Sequence, residues 1–169
     1  MQPNATRELA RLVRPQRLFA LINTCDLPVV PLYMMELDDS QAVSLYKGLP
    51  NEEDWAIGAY LVRVDPPLLR WITTALPRDS WGVLVESDRS LAELLAHFQQ
   101  FVTVRSPEGE GRLFRFYDPR VLPVYLETAS REEREPFGCG VVRVAIMMEH
   151  DRLGWLLTEA ASPHLGGTS

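Results

Sequence analysis

Three carboxylate residues stand where a strand-like run gives way to a helix-like run, and acidic groups in such positions can do chemistry. Asp65, Glu86 and Asp118 share this placement. Strands that run into helices place their last side chains at the edge of the sheet where α/β proteins usually bind ligands. Three carboxylates that meet there would offer oxygen ligands to Mg²⁺, as phosphoryl-transfer sites do. One interpretation is therefore a metal-dependent phosphodiesterase or nuclease-like enzyme.

The same carboxylates have two simpler interpretations. A carboxylate at the start of a helix accepts hydrogen bonds from the free amides of the first turn and meets the positive end of the helix dipole. Alternatively, the carboxylates form ion pairs with Arg63, Arg115 or Arg120, because a guanidinium group can bind a carboxylate through two parallel hydrogen bonds. Local capping explains two of the three acids without any ligand, so we favour it over a metal site.

The most informative stretch is residues 112–122, which reads RLFRFYDPRVL. Its first half predicts a strand with Phe114 and Phe116 on one face and Tyr117 on the other. Its second half predicts the start of a helix, with Asp118 as the cap and the following proline in the first helical position. This stretch would therefore carry a strand end and a helix start side by side.

The order of the elements predicts the fold class. Predicted helices cover residues 4–14, 29–37, 68–76, 90–102, 119–128 and 131–135. Predicted strands cover residues 17–22, 42–46, 59–64, 81–85, 102–105, 113–117, 141–148 and 153–158. Alternating strands and helices followed by two hairpins predict an α/β fold with an α+β tendency, in which helices flank a mixed sheet and the chain ends in β-hairpins.

No boundary is strong enough to divide the chain into two domains. We predict an N-terminal helix or arm at residues 1–16, one α/β domain at residues 17–160 and a flexible tail at residues 161–169. One helix start is especially clear, because Ser90 is followed three residues later by Glu93, the spacing of a capping box.

Composition excludes several classes of function. The chain has 169 residues, of which 46% are hydrophobic and 24% charged, as in ordinary soluble globular domains. The net charge of −6 argues against a nucleic-acid binder with a basic patch. Charged residues interrupt the N-terminal segment and no apolar run approaches ~20 residues, so neither a signal peptide nor membrane insertion is predicted. Two distant cysteines, Cys25 and Cys139, fit a reducing cytoplasm.

Two features predict contact with another polypeptide. Trp55 lies in an acidic loop, whereas Trp71 and Trp81 adjoin apolar periodic runs and are expected in the core. The strand predicted at residues 141–148 could accept a partner strand or helix if its edge were uncovered.

The histidines are scattered singly, which does not predict a zinc site.

Four runs, in this order and spacing, resemble the effector chaperones of the bacterial type VI secretion system, also called Tap or Tec adaptors. They are LFALIN at 18–23, YLVRVDP at 60–66, WGVLVES at 81–87 and LFRFYDPRVL at 113–122. The Arg-Phe-Tyr-Asp-Pro-Arg signature in the last run is the most specific part. The resemblance covers about residues 18–158. Many members look longer, with a helical second lobe, whereas this chain ends soon after the last predicted hairpin.

The resemblance implies a cytoplasmic adaptor, not an enzyme, that needs no cofactor. Its partners would be a cognate toxic effector and the trimeric spike protein of the VgrG type, onto which it helps to load the effector without being secreted itself. Such a role requires an apolar groove with a polar rim. The residues that we expect to bind the partner, or to support its binding, are Trp55, Glu86, Arg115, Tyr117, Asp118 and Arg120.

Overall fold

A computed structural model describes residues 5–13, 16–25, 27–50, 58–77, 80–105, 109–148 and 152–158. The helices of these residues are α1 Ala5–Val13, α2 Val29–Met34, α3 Pro66–Ala75, α4 Leu91–Gln99, α5 Leu122–Thr128 and α6 Arg131–Gly138. The strands are β1 Leu18–Asn23, β2 Ala42–Ser44, β3 Ala59–Arg63, β4 Gly82–Glu86, β5 Thr103–Arg105, β6 Gly111–Leu113, β7 Arg143–Met148 and β8 Arg152–Thr158. Trp55 and the tail predicted at residues 161–169 lie outside the described residues.

Six strands form one sheet in the order β2-β3-β1-β4-β7-β8, and β5 and β6 form a separate hairpin. Strand β1 is central and fully buried, with Leu21 opposite Leu61 of β3 on one side and Val83 of β4 on the other. Strands β3 and β4 point in the same direction, but β1 lies between them. For that reason the neighbouring strands described here are all antiparallel. Antiparallel neighbours are typical of α+β folds, so the predicted α+β tendency describes this sheet better than a parallel α/β arrangement.

The two faces of the sheet carry separate apolar clusters, which confirms a single α/β domain with flanking helices. Leu18, Ala20 and Ile22 of β1 face one cluster, which also contains buried residues of α1, α2 and α3. Phe19 and Leu21 face the other cluster, to which α4, α5 and α6 contribute. Alternating side chains of one strand therefore hold both helical layers, as the two-residue period of a β-strand requires.

Local capping acts where the sequence predicts it at two helices. The Asp65 side chain accepts a hydrogen bond from the amide of Leu68 at 2.8 Å at the start of α3. Ser90 and Glu93 form the expected capping box at the start of α4, and α6 begins with the same arrangement at Ser130. These contacts satisfy amide groups that the first turn of a helix leaves without partners.

The predicted strand at residues 113–117 is wrong beyond its first residue. Strand β6 ends at Leu113, and the chain then turns until α5 begins at Leu122. Phe116 and Tyr117 are adjacent in sequence, yet both are completely buried in the same apolar cluster. A strand would have sent them to opposite faces, so burial of both aromatic rings favours a turn.

The exposed edge predicted for the strand at residues 141–148 is also wrong. Strand β7 pairs with β4 on one side and with β8 on the other, so it lies inside the sheet. Val144 is accordingly only 1% exposed. The partner of β7 toward the centre of the sheet comes from a distant part of the sequence, which periodicity alone does not reveal.

His97 connects α4 to α6 and makes stability depend on pH. Its Nε2 donates a hydrogen bond to the Phe137 carbonyl at 2.9 Å, and its side chain is buried. Burial lowers the pKa of His97 below the ordinary value of 6.5, although the hydrogen bond partly opposes this shift. Between the two pKa values the unfolded chain binds more protons than the folded one, so stability rises with pH there.

We therefore expect the free energy of unfolding to fall as the pH drops below 6.5 and to level off below the folded-state pKa of His97. Urea denaturation between pH 8 and pH 5 measures this dependence. The variant His97→Gln keeps a side-chain donor but does not titrate, so its stability should vary less over the same interval. An NMR titration that placed the pKa of His97 at or above 6.5 would contradict this expectation.

Candidate functional site

Glu86 is a buried junction of the sheet. It ends β4, is 5% exposed, and its Oε2 accepts a hydrogen bond from Arg143 Nε of β7 at 2.5 Å. Its Oε1 lies 3.5 Å from Nη2 of Arg17, which precedes β1 and also pairs with Asp88. The carboxylate thus joins three neighbouring strands. Because Glu86 is buried and paired within the sheet, its part in partner binding stays a prediction.

Asp118 is the centre of the turn that follows β6. It is 2% exposed, and its Oδ1 accepts hydrogen bonds from the amide and the Nε of Arg120, both at 2.9 Å. Its Oδ2 lies 2.8 Å from Arg120 Nη2 and 3.4 Å from Arg115 Nη2. The predicted cap of α5 is wrong, because Val121 occupies the N-cap position without a side-chain hydrogen bond. The ion-pair interpretation is confirmed for Asp118.

The electrostatic setting of Asp118 favours its charged form. Burial raises the pKa of Asp118, but the hydrogen bonds and positive charge of Arg120, together with the charge of Arg115, outweigh burial and hold the pKa below its usual value. Two guanidinium groups surround one carboxylate, so the turn keeps a net positive charge. Arg120 is 59% exposed and reaches the surface, whereas Arg115 is 35% exposed and its Nε and Nη2 are buried.

Tyr117 fixes the base of this turn. Its hydroxyl lies 3.0 Å from the hydroxyl of Tyr46, and both side chains are at most 1% exposed. Burial raises the pKa of both hydroxyl groups, which keeps them protonated and able to donate. Tyr117 therefore supports the surface formed by Arg115 and Arg120 and is not itself available to a partner.

The structure does not bring the three carboxylates together. Asp65 and Glu86 end strands that point the same way, so they lie toward one end of the sheet. Asp118 is connected through Tyr117 to Tyr46, which follows β2 beside the beginning of β3. Among the described residues, no group of three or more His, Cys, Asp or Glu side chains could hold a metal ion. The geometry thus does not support the metal-dependent alternative.

Two clefts lie on the surface of the described residues, and each is lined by apolar as well as polar side chains. A cleft of about 420 Å³ lies beside Asp65, where Gln41 Nε2 donates to Asp65 Oδ2 at 2.9 Å and Arg63 Nη2 donates to the Ser40 carbonyl at 2.6 Å. A second cleft, of about 360 Å³, lies under the β5–β6 hairpin and is lined in part by Leu113. In the first cleft the Asp65 carboxylate and the Arg63 guanidinium are therefore already engaged, whereas a small-molecule site usually presents convergent, unpaired polar groups.

Helix α2 presents an apolar stripe to solvent. Val29, Leu32 and Met35, here called the α2 stripe, are 47%, 67% and 78% exposed. Their spacing of three residues places them on one side of the helix. On the opposite side, Val30 and Met34 are at most 3% exposed and belong to the apolar cluster shared with α1 and α3. The helix is thus anchored through one face and apolar on the other.

The anchoring of α2 is rigid and aromatic. Tyr33 stacks on Trp71 of α3, with ring centroids 4.2 Å apart and an interplanar angle of 11°. Trp81 is 1% exposed, so it lies in the core as the sequence predicts, while Trp71 is partly buried against α2. The stacked pair fixes the orientation of α2, and the stripe faces outward as a consequence.

The sequence predicts a helix at residues 29–37, but its pattern does not distinguish a buried side from an exposed one. Among the described residues, three of the five large hydrophobic side chains that are exposed belong to the α2 stripe. The segment 29–35 reads VVPLYMM and has no charged residue. A helix that is apolar all round is normally buried all round. Its apolar character on every side was the signal for an unpartnered face.

The part of the chain that matches a known protein family includes both the α2 stripe and the turn around Asp118. The sequence pattern of the family described as "Domain of unknown function (DUF4123)" matches residues 18–136, which is more than half of the chain. No curated protein and no solved structure matches the chain. Among the described residues, no helix has the length and apolar character needed to cross a bilayer. On the strength of the match from β1 into α6, the chain belongs to the DUF4123 family.

Proposed function

We propose that this chain is an adaptor of the bacterial type VI secretion system. It binds a toxic effector in the cytoplasm, helps to load it onto the spike protein and is not secreted itself. The family to which the chain belongs is associated with adaptors of type VI secretion effectors, which supports this class of function. In this proposal the chain is a binding protein, not an enzyme, and works without a cofactor.

The observation that carries the proposal is the α2 stripe. A fully exposed side chain of this size gains about 1.5–3 kcal/mol on complete burial, and each residue of the stripe gains the part that corresponds to its exposure. Protein interfaces combine such an apolar centre with a polar rim. The rim follows directly in sequence, because Glu36, Asp38 and Asp39 are exposed. The stripe and its rim match the requirement for holding an apolar segment of the effector.

The turn around Asp118 supplies a second surface of different character. Arg120 is held in place by the buried Asp118 and reaches solvent, while Arg115 adds a second positive charge behind it. The exposed positive charge of Arg120 is suited to attract a carboxylate of the partner. In the proposal this surface adds polar contacts, while the apolar contact belongs to α2. Trp55 remains a predicted contact outside the described residues.

Co-expression tests the proposed function. The chain is co-expressed with the product of each gene beside its own, and complexes are isolated by affinity tag and size-exclusion chromatography. We expect one product, a toxin, to form a stable complex and to become more soluble. Leu32→Asp should remove that complex, because the substitution puts a charge into an apolar contact.

The matched control is Val124→Asp, since Val124 is also an exposed apolar residue, at 58%, but lies on α5. Both variants should keep the melting temperature of the unmodified chain within a few degrees, because both sites are exposed. Absence of a complex with every neighbouring product would overturn the proposed function. A complex that survives Leu32→Asp would show that α2 does not contribute to effector binding.

A further inference from the structure

We propose that the occupant of the α2 stripe is a basic amphipathic helix of the effector, with apolar side chains on one face and lysine or arginine residues beside them. This inference rests on the proposed function and specifies the chemistry of the bound segment. Three observations carry it: the size of the stripe, the charge at one end of α2, and the poor fit of a second copy of the chain.

The stripe has the dimensions of a helix-to-helix contact. From Val29 to Met35 the helix rises by roughly 9 Å, because each residue adds about 1.5 Å. The stripe offers a single row of side chains spaced by three residues, and two turns of a partner helix present a matching row at the same spacing. A helix that binds such a stripe contacts it through apolar residues at its positions i, i+3 and i+4.

Acidic residues follow the C-terminal end of α2, and Lys47 and Arg63 offset part of their charge at Asp39 and Asp38. Helix α2 itself has no acidic residue in its first turn and no basic residue in its last. Glu36, Asp38 and Asp39 follow its C-terminal end and are all exposed. Negative charge at this end of a helix opposes the helix dipole, which favours cations there. A basic partner would remove this unfavourable interaction.

The acidic residues differ in how far they are already paired. Asp39 forms an ion pair with Lys47 at 2.8 Å, and Asp38 accepts a hydrogen bond from the Ser40 amide at 2.8 Å. The Glu36 carboxylate has no ion pair or side-chain hydrogen bond with any other described residue. Since Glu36 directly follows Met35 of the stripe, a lysine or arginine of the bound helix can reach it while the apolar face is engaged.

A second copy of the chain fits this surface less well. Stable interfaces between copies bury about 800 Å² on each partner, and a row of three side chains is much smaller than that. Each copy also carries a net charge of −6, and pairing two α2 helices would bring the acidic ends of both copies into one contact. The charge balance therefore favours a basic segment over self-association.

The test uses designed peptides as probes. A fluorescein-labelled 16-residue peptide carries leucine on one helical face and lysine on the other; a second peptide replaces every lysine with glutamate, and a third scrambles the order of the first. Fluorescence anisotropy measures binding to the full chain. We expect the basic peptide to bind at least about tenfold more tightly than the other two, and its affinity to fall as salt is raised.

Variants locate the binding site. Leu32→Asp should lower the affinity for the basic peptide by about tenfold or more. Glu36→Gln should lower that affinity by a few-fold and make it less dependent on salt. Val124→Asp should leave the affinity unchanged. Equal binding of the basic and acidic peptides, or binding that Leu32→Asp does not weaken, would overturn the inference. Sedimentation that shows a dimer sensitive to Leu32→Asp would instead assign the stripe to a second copy.

The outcome separates this inference from the proposed function. If the peptides show no preference for basic charge while Leu32→Asp still abolishes the complex with the co-expressed toxin, the inference fails and the adaptor function stands. If the basic peptide binds at Leu32 but no neighbouring gene product forms a complex, the adaptor function fails and the surface chemistry stands.

Discussion

Replacing Phe116 with alanine is expected to lower the free energy of unfolding by about 3–5 kcal/mol. Phe116 is completely buried, and its ring centroid lies 5.6 Å from that of Phe98 and 5.5 Å from that of Phe137. The ring therefore attaches the turn around Asp118 to α4 and α6 at once. Alanine removes the apolar surface and leaves a cavity that rigid neighbouring rings cannot fill. Urea denaturation followed by circular dichroism measures the loss.

The matched control is Phe114→Ala. Phe114 has the same side chain in the same turn, but it is partly exposed and packs at the border of the cluster. The Phe114 ring buries less apolar surface than the Phe116 ring, and its replacement leaves no closed cavity. We therefore expect the free energy of unfolding to fall by less than about 2 kcal/mol. Similar losses in the two variants would mean that Phe116 is not the anchor of the turn.

Replacing Glu86 with alanine is expected to lower the free energy of unfolding by about 3 kcal/mol. Glu86 is the shared, buried partner of Arg143 and Arg17, so its removal takes one compensating negative charge from both guanidinium groups at once. The value is at the lower end for buried pairs, because the two arginine side chains remain 30% and 35% exposed. Chemical denaturation at neutral pH and moderate salt measures it.

Two controls separate burial from charge. Asp88→Ala removes the other partner of Arg17, but Asp88 is 72% exposed, so the change should stay within about 0.5 kcal/mol. The double variant Glu86→Leu, Arg143→Met replaces the pair with apolar side chains and should regain most of the stability. A loss in Glu86→Ala no larger than in Asp88→Ala would show that the junction contributes little.

Local contacts were predictable from the sequence because their partners lie within a few residues. Asp65 caps α3, and Ser90 with Glu93 caps α4, as their spacing predicts. The same argument failed at Asp118, although it too precedes a proline. There the carboxylate instead binds Arg120, through its backbone amide and through Nε and Nη2 of its guanidinium, and a hydrogen bond with a charged donor is stronger than one with a neutral donor.

Contacts between distant residues were not predictable in the same way. The pairing of Glu86 with Arg143 spans 57 positions and depends on the order of the strands. Because hydrophobic periodicity identifies a strand but not its neighbours, the interior position of β7 and the separation of the three carboxylates could not be read from the sequence. The outward side of α2 depends on which face Trp71 covers, and that too is a property of the assembled fold.

The order of the strands has a consequence for folding during synthesis. Strand β4 receives its outer neighbour β7 only after some 57 more residues, as the pairing of Glu86 with Arg143 shows. At about 5–20 residues per second, a ribosome needs roughly 3–11 s to make that stretch. During that interval one side of the nascent β4 has unpaired backbone groups, which are a template for aggregation. The chain is thus most vulnerable before β7 emerges, and its overall folding is slow for its size because these contacts are distant in sequence.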